Sequence, residues 1–204
     1  MTLEVYLAYV LACVVITIVP GPTVTVIVAN SLAHGSRAGL LNVAGTQIGL
    51  GLMMATLVVG LSTIIATMGW WFDWLRLAGA AYLIWMGCKL LFTRISIEDA
   101  KAPQAPRGGF VLQGLLVILS NPKGLLWFGA FIPQFIDPKG NYVGQIILLG
   151  LTAMAVALVS HGAYAVLVGR AGSALSKRRV QLVSRIGGVF LIGGGLWLAF
   201  TRSR

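Results

Sequence analysis

Long apolar runs alternate with short polar connections along the whole chain. About 20 apolar residues are enough for a helix to span the hydrocarbon core of a bilayer. Six such runs predict six membrane-spanning segments, at about residues 3–29, 38–66, 75–92, 110–135, 143–168 and 186–200. The predicted fold class is therefore an all-α integral membrane protein, with one transmembrane domain over residues 1–204.

The fourth run is interrupted near its centre by Asn121-Pro122-Lys123-Gly124. Proline removes a backbone hydrogen bond, and a broken helix persists in a membrane only where protein or a watery cavity covers it. A lysine at membrane depth costs at least about 2.5–3.5 kcal/mol and usually marks a substrate or ion path. The first run carries a similar break at Pro20-Gly21-Pro22-Thr23. The alternative for the fourth run is a helix that starts later, with Lys123 reaching the membrane surface.

The chain also contains an internal repeat. Residues 76–94 align with residues 185–202 with one gap, and the first and fourth runs share a proline break. We therefore predict two three-helix halves, 1–95 and 110–204, joined by the hydrophilic linker 96–109. Three helices per half insert the second half upside down, and inverted repeats with interrupted helices form a transport site at their interface. Chance similarity between two glycine-rich apolar helices is the alternative.

Composition and charge fit this interpretation. The chain is 58% hydrophobic and 10% charged, whereas a soluble domain has about 25% charged residues. The net charge of +10 arises mostly from loops 1–2, 3–4 and 5–6. Cytoplasmic loops carry an excess of Lys and Arg, so these loops are predicted to be cytoplasmic and both termini outside. The partner of the basic residues is then the lipid bilayer, and no nucleic acid is expected.

The acidic residues restrict the ligand. All five lie at termini or in loops, so the sequence provides no carboxylate within the membrane beside Lys123. An anionic ligand group, such as the carboxylate of an amino acid, would neutralise the lysine, and the ammonium of that ligand would bind carbonyls freed at the proline breaks. A metal ion or a strongly cationic side chain is not favoured. The candidate substrate-binding residues are Pro20, Gly21, Pro22, Thr23, Asn42, Gln47, Asn121, Pro122 and Lys123.

His161 is the candidate for proton coupling, because the unperturbed pKa of histidine lies near neutral, and Lys123 is the second. The alternative is a core histidine packed against Tyr164. No Ser-His-Asp grouping, His-Glu-x-x-His motif or phosphate-binding glycine loop is present, so we expect no enzyme and no cofactor. Cys13 and Cys88 lie in apolar runs and are either small buried hydrophobic residues or a redox pair. A channel or a thiol carrier therefore remains the alternative class.

Five motifs occur in a fixed order along the chain, namely Pro20-Gly21-Pro22, Gly35-x-Arg37-x-Gly39-Leu40, Gly79-Ala-Ala-Tyr-Leu-x-Trp-x-Gly87, Asn121-Pro122-Lys123 and Pro133-Gln134-Phe135. Together they resemble the LysE/RhtB amino-acid exporters, over about residues 3–200. The resemblance implies six segments, a tendency to form homo-oligomers, and proton-driven export of an amino acid or derivative across the bacterial inner membrane.

The chain departs from the family pattern at one position. Members often carry an acidic residue after the second glycine of helix two, where Leu50 follows Gly49 here. This departure puts export of lysine or arginine in doubt. The chain looks more like the branch that exports homoserine, threonine or other neutral amino acids.

Overall fold

A computed structural model describes residues 1–18, 21–67, 106–137 and 140–171, with isolated helical positions between 77 and 92 and between 185 and 196. All regular secondary structure in these parts of the chain is helical. The predicted third and sixth segments lie almost wholly outside the described residues, as do Pro20 and most of the linker 96–109. The alignment of residues 76–94 with residues 185–202 consequently stays a prediction.

Six α-helices are described. The first apolar run forms α1 (Leu3–Ile18) and α2 (Pro22–His34), and the second forms α3 (Ser36–Thr67). The fourth run forms α4 (Gly109–Leu119) and α5 (Pro122–Leu126), and the fifth forms α6 (Tyr142–Ala171). Among the described helices, α3 and α6 are long and apolar enough to cross a membrane. Counting each bent pair of helices as one span raises the number to as many as four.

Both bent spans resume at a proline. The axes of α1 and α2 differ by 50°, and the second bent span turns by 54° between α4 and the segment from Pro122 to Phe135. Pro22 and Pro122 each stand in the first turn of the new helix, where the missing N–H has no helical partner to lose. Asn121 caps α5, since its Oδ1 accepts a hydrogen bond from the Lys123 N–H at 3.0 Å. The break predicted at Asn121-Pro122 is confirmed.

The span that begins at Pro122 does not stay α-helical. A π-helical turn over Trp127–Phe131 follows α5, and a 3₁₀ turn over Ile132–Phe135 follows that. The rings of Trp127 and Phe131 stack with centroids 4.1 Å apart, and the ring of Tyr9 lies against Trp127 at 6.0 Å. Single π-helical turns are rare in proteins, but those that occur often lie at functional sites.

Glycines let α3 and α4 approach closely. A Cβ on Gly45 would overlap the backbone of Val111, and a Cβ on Gly114 would overlap the carbonyl of Asn42. Small residues at such crossings are typical of helices that associate in membranes. Gly45 is thus a residue on which the close approach of α3 and α4 depends.

The predicted polar turn over residues 30–37 is wrong in its bounds. Helix α2 continues to His34 and α3 begins at Ser36, so the connection is Gly35 alone, whose φ of +82° is a backbone conformation that glycine adopts without strain. Asn30 is 1% exposed. It stays in the helix because its amide has buried hydrogen-bond partners, which a sequence pattern does not reveal.

The described connections divide between two ends of the molecule. At one end, the Met1 ammonium lies 3.5 Å from the Asp137 carboxylate. At the other end, the Ser36 hydroxyl donates to the Val166 carbonyl at 3.4 Å, and the rings of His34 and Phe110 lie 5.3 Å apart. Three basic residues near this second end of the bundle are Arg37, Arg107 and Arg170. Their grouping at one end agrees with the predicted grouping of the loops.

Candidate functional site

A cavity of about 70 Å³ lies where the two bent spans meet. At about 10–15 Å³ for each water-sized sphere, this volume holds about five to seven such spheres. All the described helices contribute to its lining. Its polar and ionisable lining residues are Cys13, Thr17, Thr23, Asn121, Lys123 and His161.

The two breaks are joined at the cavity by a hydrogen bond. The Asn121 side-chain N–H donates to the Thr23 hydroxyl at 2.9 Å, and both residues are buried. The carbonyl of Ile18, at the end of α1, accepts from the Tyr164 hydroxyl at 2.7 Å. Backbone groups released by a helix break need such partners. The cavity is therefore built by the breaks themselves, with their polar groups held in defined positions.

Lys123 lies in the first turn of α5 and lines this cavity. Its side chain is 9% exposed, so it does not extend to the surface as the alternative interpretation required. No Asp or Glu occurs among the described residues that line the cavity. The site thus presents a lysine nitrogen together with the neutral polar groups of Thr17, Thr23 and Asn121.

His161 faces the same cavity from α6. It is 6% exposed, and its Nδ1 has no hydrogen-bond partner within the part of the chain that the structure describes. The Tyr164 hydroxyl donates to the Ile18 carbonyl rather than to this histidine. The imidazole thus lies beside the cavity, with one buried nitrogen that makes no hydrogen bond to the described residues.

The other predicted binding residues are distributed differently. Gly21 lines the cavity, whereas the side chains of Pro22 and Pro122 are exposed. Asn42 and Gln47 lie on α3 away from the cavity lining. The side-chain N–H of Gln47 donates to the Met154 carbonyl at 3.2 Å, so it ties α3 to α6.

Asn42 belongs to a buried amide cluster with Asn30 and Gln113. The Asn30 N–H groups donate to Asn42 Oδ1 and to Gln113 Oε1, each at 2.7 Å. The Asn42 N–H donates to the Phe110 carbonyl at 2.7 Å. This cluster joins α2, α3 and α4. Sequence reasoning missed Asn30, although it lies seven residues after Thr23 and hence on the same helical face.

Several other lining residues were missed, among them Thr17, Trp127, Ala153 and Ala157. Trp127 follows Lys123 by four residues, and Ala157 and Ala153 precede His161 by four and eight residues. Residues four apart share a helix face, so this signal was present in the sequence. Leu50, the position of the departure from the exporter pattern, also lines the cavity. Cys13 and Cys88 are both free thiols, and Cys13 lies in the lining.

Comparison with known proteins decides the family. The sequence model described as LysE type translocator matches residues 14–202. The chain belongs to the LysE-type translocator family. Like its relatives, it is a membrane transporter and not an enzyme. No solved structure matches this translocator.

Relatives of this translocator include proteins named for efflux. A homoserine/homoserine lactone efflux protein of Salmonella typhimurium is 32% identical over 96% of this chain and 97% of its own length. A leucine efflux protein of Klebsiella pneumoniae is 31% identical over 91% of both chains. A membrane protein of Vibrio cholerae is 27% identical over the full length of both.

Proposed function

We propose that this translocator exports a neutral amino acid or derivative, homoserine- or threonine-like or aliphatic, across the bacterial cytoplasmic (inner) membrane in exchange for protons. The observation that carries the proposal is the cavity between the two bent spans, in which Thr23, Asn121 and Lys123 converge. Sites at paired helix breaks are typical of secondary transporters. The efflux functions named for two relatives agree with this geometry.

The cavity suits an amino acid whose side chain is uncharged. Lys123 binds the substrate carboxylate through a charge-assisted hydrogen bond. The hydroxyls of Thr17 and Thr23 and the carbonyl groups at the breaks are acceptors for the substrate ammonium. A cationic side chain would find no acid among the described lining residues, and Leu50 occupies the position where exporters of this type often carry one. These features favour a neutral substrate over lysine or arginine.

His161 is proposed as the proton carrier. It lines the substrate cavity, and its Nδ1 has no hydrogen-bond partner among the described residues. The other ionisable side chains described in the lining are Lys123 on α5 and Cys13 on α1. Protonation of the imidazole beside Lys123 raises the positive charge of the cavity, which changes its affinity for the substrate and so couples the two movements.

The architecture proposed for the whole translocator is six spans in two inverted halves, assembled as a homo-oligomer. Support comes from the two bent spans, which resume at Pro22 and Pro122 and turn by 50° and 54°. Equivalent breaks in corresponding segments are expected of inverted repeats.

Replacement of Lys123 tests the binding site. In proteoliposomes with an imposed pH gradient, we expect Lys123→Met to lower the efflux of labelled homoserine, threonine or leucine by roughly 10- to 100-fold, because a hydrogen bond to a charged group contributes about 1.5–3 kcal/mol. Arg107→Met, which removes an exposed cation outside the cavity, is the matched control and should keep the wild-type rate. Wild-type efflux from Lys123→Met, at equal membrane content, would contradict the assignment.

The two cysteines separate the alternative classes. Replacing Cys13 and Cys88 together by Ser leaves an exporter active but abolishes a thiol carrier. In a Cys88→Ser variant, substrate should also slow the alkylation of Cys13 by N-ethylmaleimide, since Cys13 lines the cavity. A channel would instead conduct ions without any saturable amino-acid flux.

A further inference from the structure

The cavity has two chemically different ends. Helices α1 and α6 run parallel, since the Tyr9 hydroxyl donates to the Leu149 carbonyl at 2.9 Å and the Ile18 carbonyl accepts from Tyr164 at 2.7 Å. Residues later in α1 therefore lie at the level of residues later in α6. Ala153 and His161 are separated by about 12 Å along the axis of α6, at 1.5 Å for each residue. The cavity spans both levels.

One end is polar. His161 lies at the level of the end of α1, where the Asn121–Thr23 hydrogen bond joins the two breaks. Thr17, in the last turn of α1, lies at the same level. This polar end, made of Thr17, Thr23, Asn121, Lys123 and His161, holds the hydrogen-bonding groups on which the proposed function rests.

The opposite end is apolar. Trp127 faces it, and the ring of Trp127 is stacked on Phe131 at 4.1 Å and lies 6.0 Å from Tyr9. Phe128 also lines the cavity, and Cys13, the polar side chain that α1 contributes to the lining here, is only a weak hydrogen-bond donor. Besides that thiol, the indole N–H of Trp127 is the polar side-chain group of this end, so a substrate hydroxyl directed here would recover only part of the hydrogen bonding that it has in water.

Ala153 leaves open space at this apolar end of the cavity. It is 6% exposed and lines the cavity from α6. Its single methyl group is smaller than the side chains of Trp127, Phe128 and Cys13 in the same lining. The aromatic side chains opposite are held by their own ring contacts, so they do not retreat to admit a longer group. The side chain at position 153 consequently sets the free length of the cavity.

We propose that Ala153 is a specificity-determining residue, and that the apolar end accepts the aliphatic side chain of a substrate of leucine size. The inference rests on the proposed function, because it assumes that the substrate carboxylate and ammonium occupy the polar end. Leucine should accordingly be exported faster than homoserine, which is similar in length but places a hydroxyl against Trp127 and Phe128.

Side-chain replacement at position 153 tests the assignment. We expect Ala153→Leu to lower the ratio of leucine to alanine efflux by at least about tenfold, the discrimination that one excess methylene causes in a closed pocket. Ala153→Val, a smaller change, should lower the same ratio in the same direction if the leucine variant fails to insert. Ala155→Leu is the control, because Ala155 is exposed on another face of α6 and should leave the ratio unchanged.

The outcomes distinguish the two proposals. A wild-type translocator that exports neither alanine, leucine nor homoserine contradicts the proposed function itself. A wild type that exports these amino acids, with an unchanged ratio in both Ala153 variants, overturns only the role of Ala153. Faster wild-type efflux of homoserine than of leucine overturns the aliphatic assignment.

Discussion

Two nitrogen-bearing side chains dominate the chemistry of the cavity, Lys123 and His161. Both are less than 10% exposed and line the same space. Burying a potential cation at membrane depth costs free energy, so a lysine here is expected to act on a ligand. Because the two groups lie together, the charge state of one influences what the other binds. This arrangement supports the proposed coupling of a proton to the substrate carboxylate.

His161→Gln tests the proton role. If the imidazole carries protons, this variant should lose the dependence of efflux on the imposed pH gradient, since glutamine keeps hydrogen-bonding groups but does not titrate between pH 5 and 8. The measurement is the efflux rate from proteoliposomes at several internal and external pH values. His34→Gln, at the end of α2 and outside the cavity lining, should retain the full dependence. An unchanged pH profile in His161→Gln reduces this residue to a packing role.

At the scale of elements, α3 packs closely against α4 because glycines without side chains stand at their crossing. Gly45 and Gly114 each face the backbone of the other helix. The amide cluster of Asn30, Asn42 and Gln113 lies beside this crossing and adds hydrogen bonds to it. Close packing and polar contacts act together here because lipid tails are as apolar as the side chains, so the hydrophobic effect does not drive helices together within the membrane.

Gly45→Ala should weaken this crossing. The added methyl group overlaps the Val111 backbone, so the helices must separate, at a cost of about 1–3 kcal/mol by analogy with overpacked cores. The measurement is the thermal midpoint of the detergent-solubilised protein. Gly162→Ala is the matched control, because a Cβ there meets nothing within 4 Å and alanine favours helix by up to about 1 kcal/mol. Equal midpoints for the two variants would show that the crossing tolerates a side chain.

At the scale of the whole molecule, three of the described basic residues and the Met1–Asp137 ion pair lie at opposite ends. Arg37, Arg107 and Arg170 lie near one end, and the Met1–Asp137 ion pair at the other. An excess of Lys and Arg marks the cytoplasmic side. We therefore expect the polar end of the cavity to point toward the cytoplasm and its apolar end toward the outside.

Labelling of introduced cysteines tests this orientation. In a background without Cys13 and Cys88, a membrane-impermeant maleimide should label Gly140→Cys in intact cells and Gly108→Cys only after lysis. Both positions are exposed and lie at opposite ends. The reverse labelling pattern would show that the protein is inserted the other way round, with the polar end of the cavity toward the outside.

Local chemistry in the sequence was sufficient for several features. The apolar runs identified a membrane protein, Asn121-Pro122 located a helix break, and Lys123 was recognised as buried, since each depends on a short segment and its cost in lipid. The third and sixth predicted segments remain expectations.

Tertiary structure alone decided which residues meet. Asn42 and Gln47 were predicted beside the substrate, yet they bond to Gln113 and Met154 away from the cavity, while Trp127 and Ala153 line it. In a soluble protein the polar face of a helix points to solvent, so the sequence shows that the opposite, apolar face is the inner one. In a membrane the lipid-facing and protein-facing sides are both apolar, so the sequence identifies a broken helix but only packing shows which side chains its break brings together.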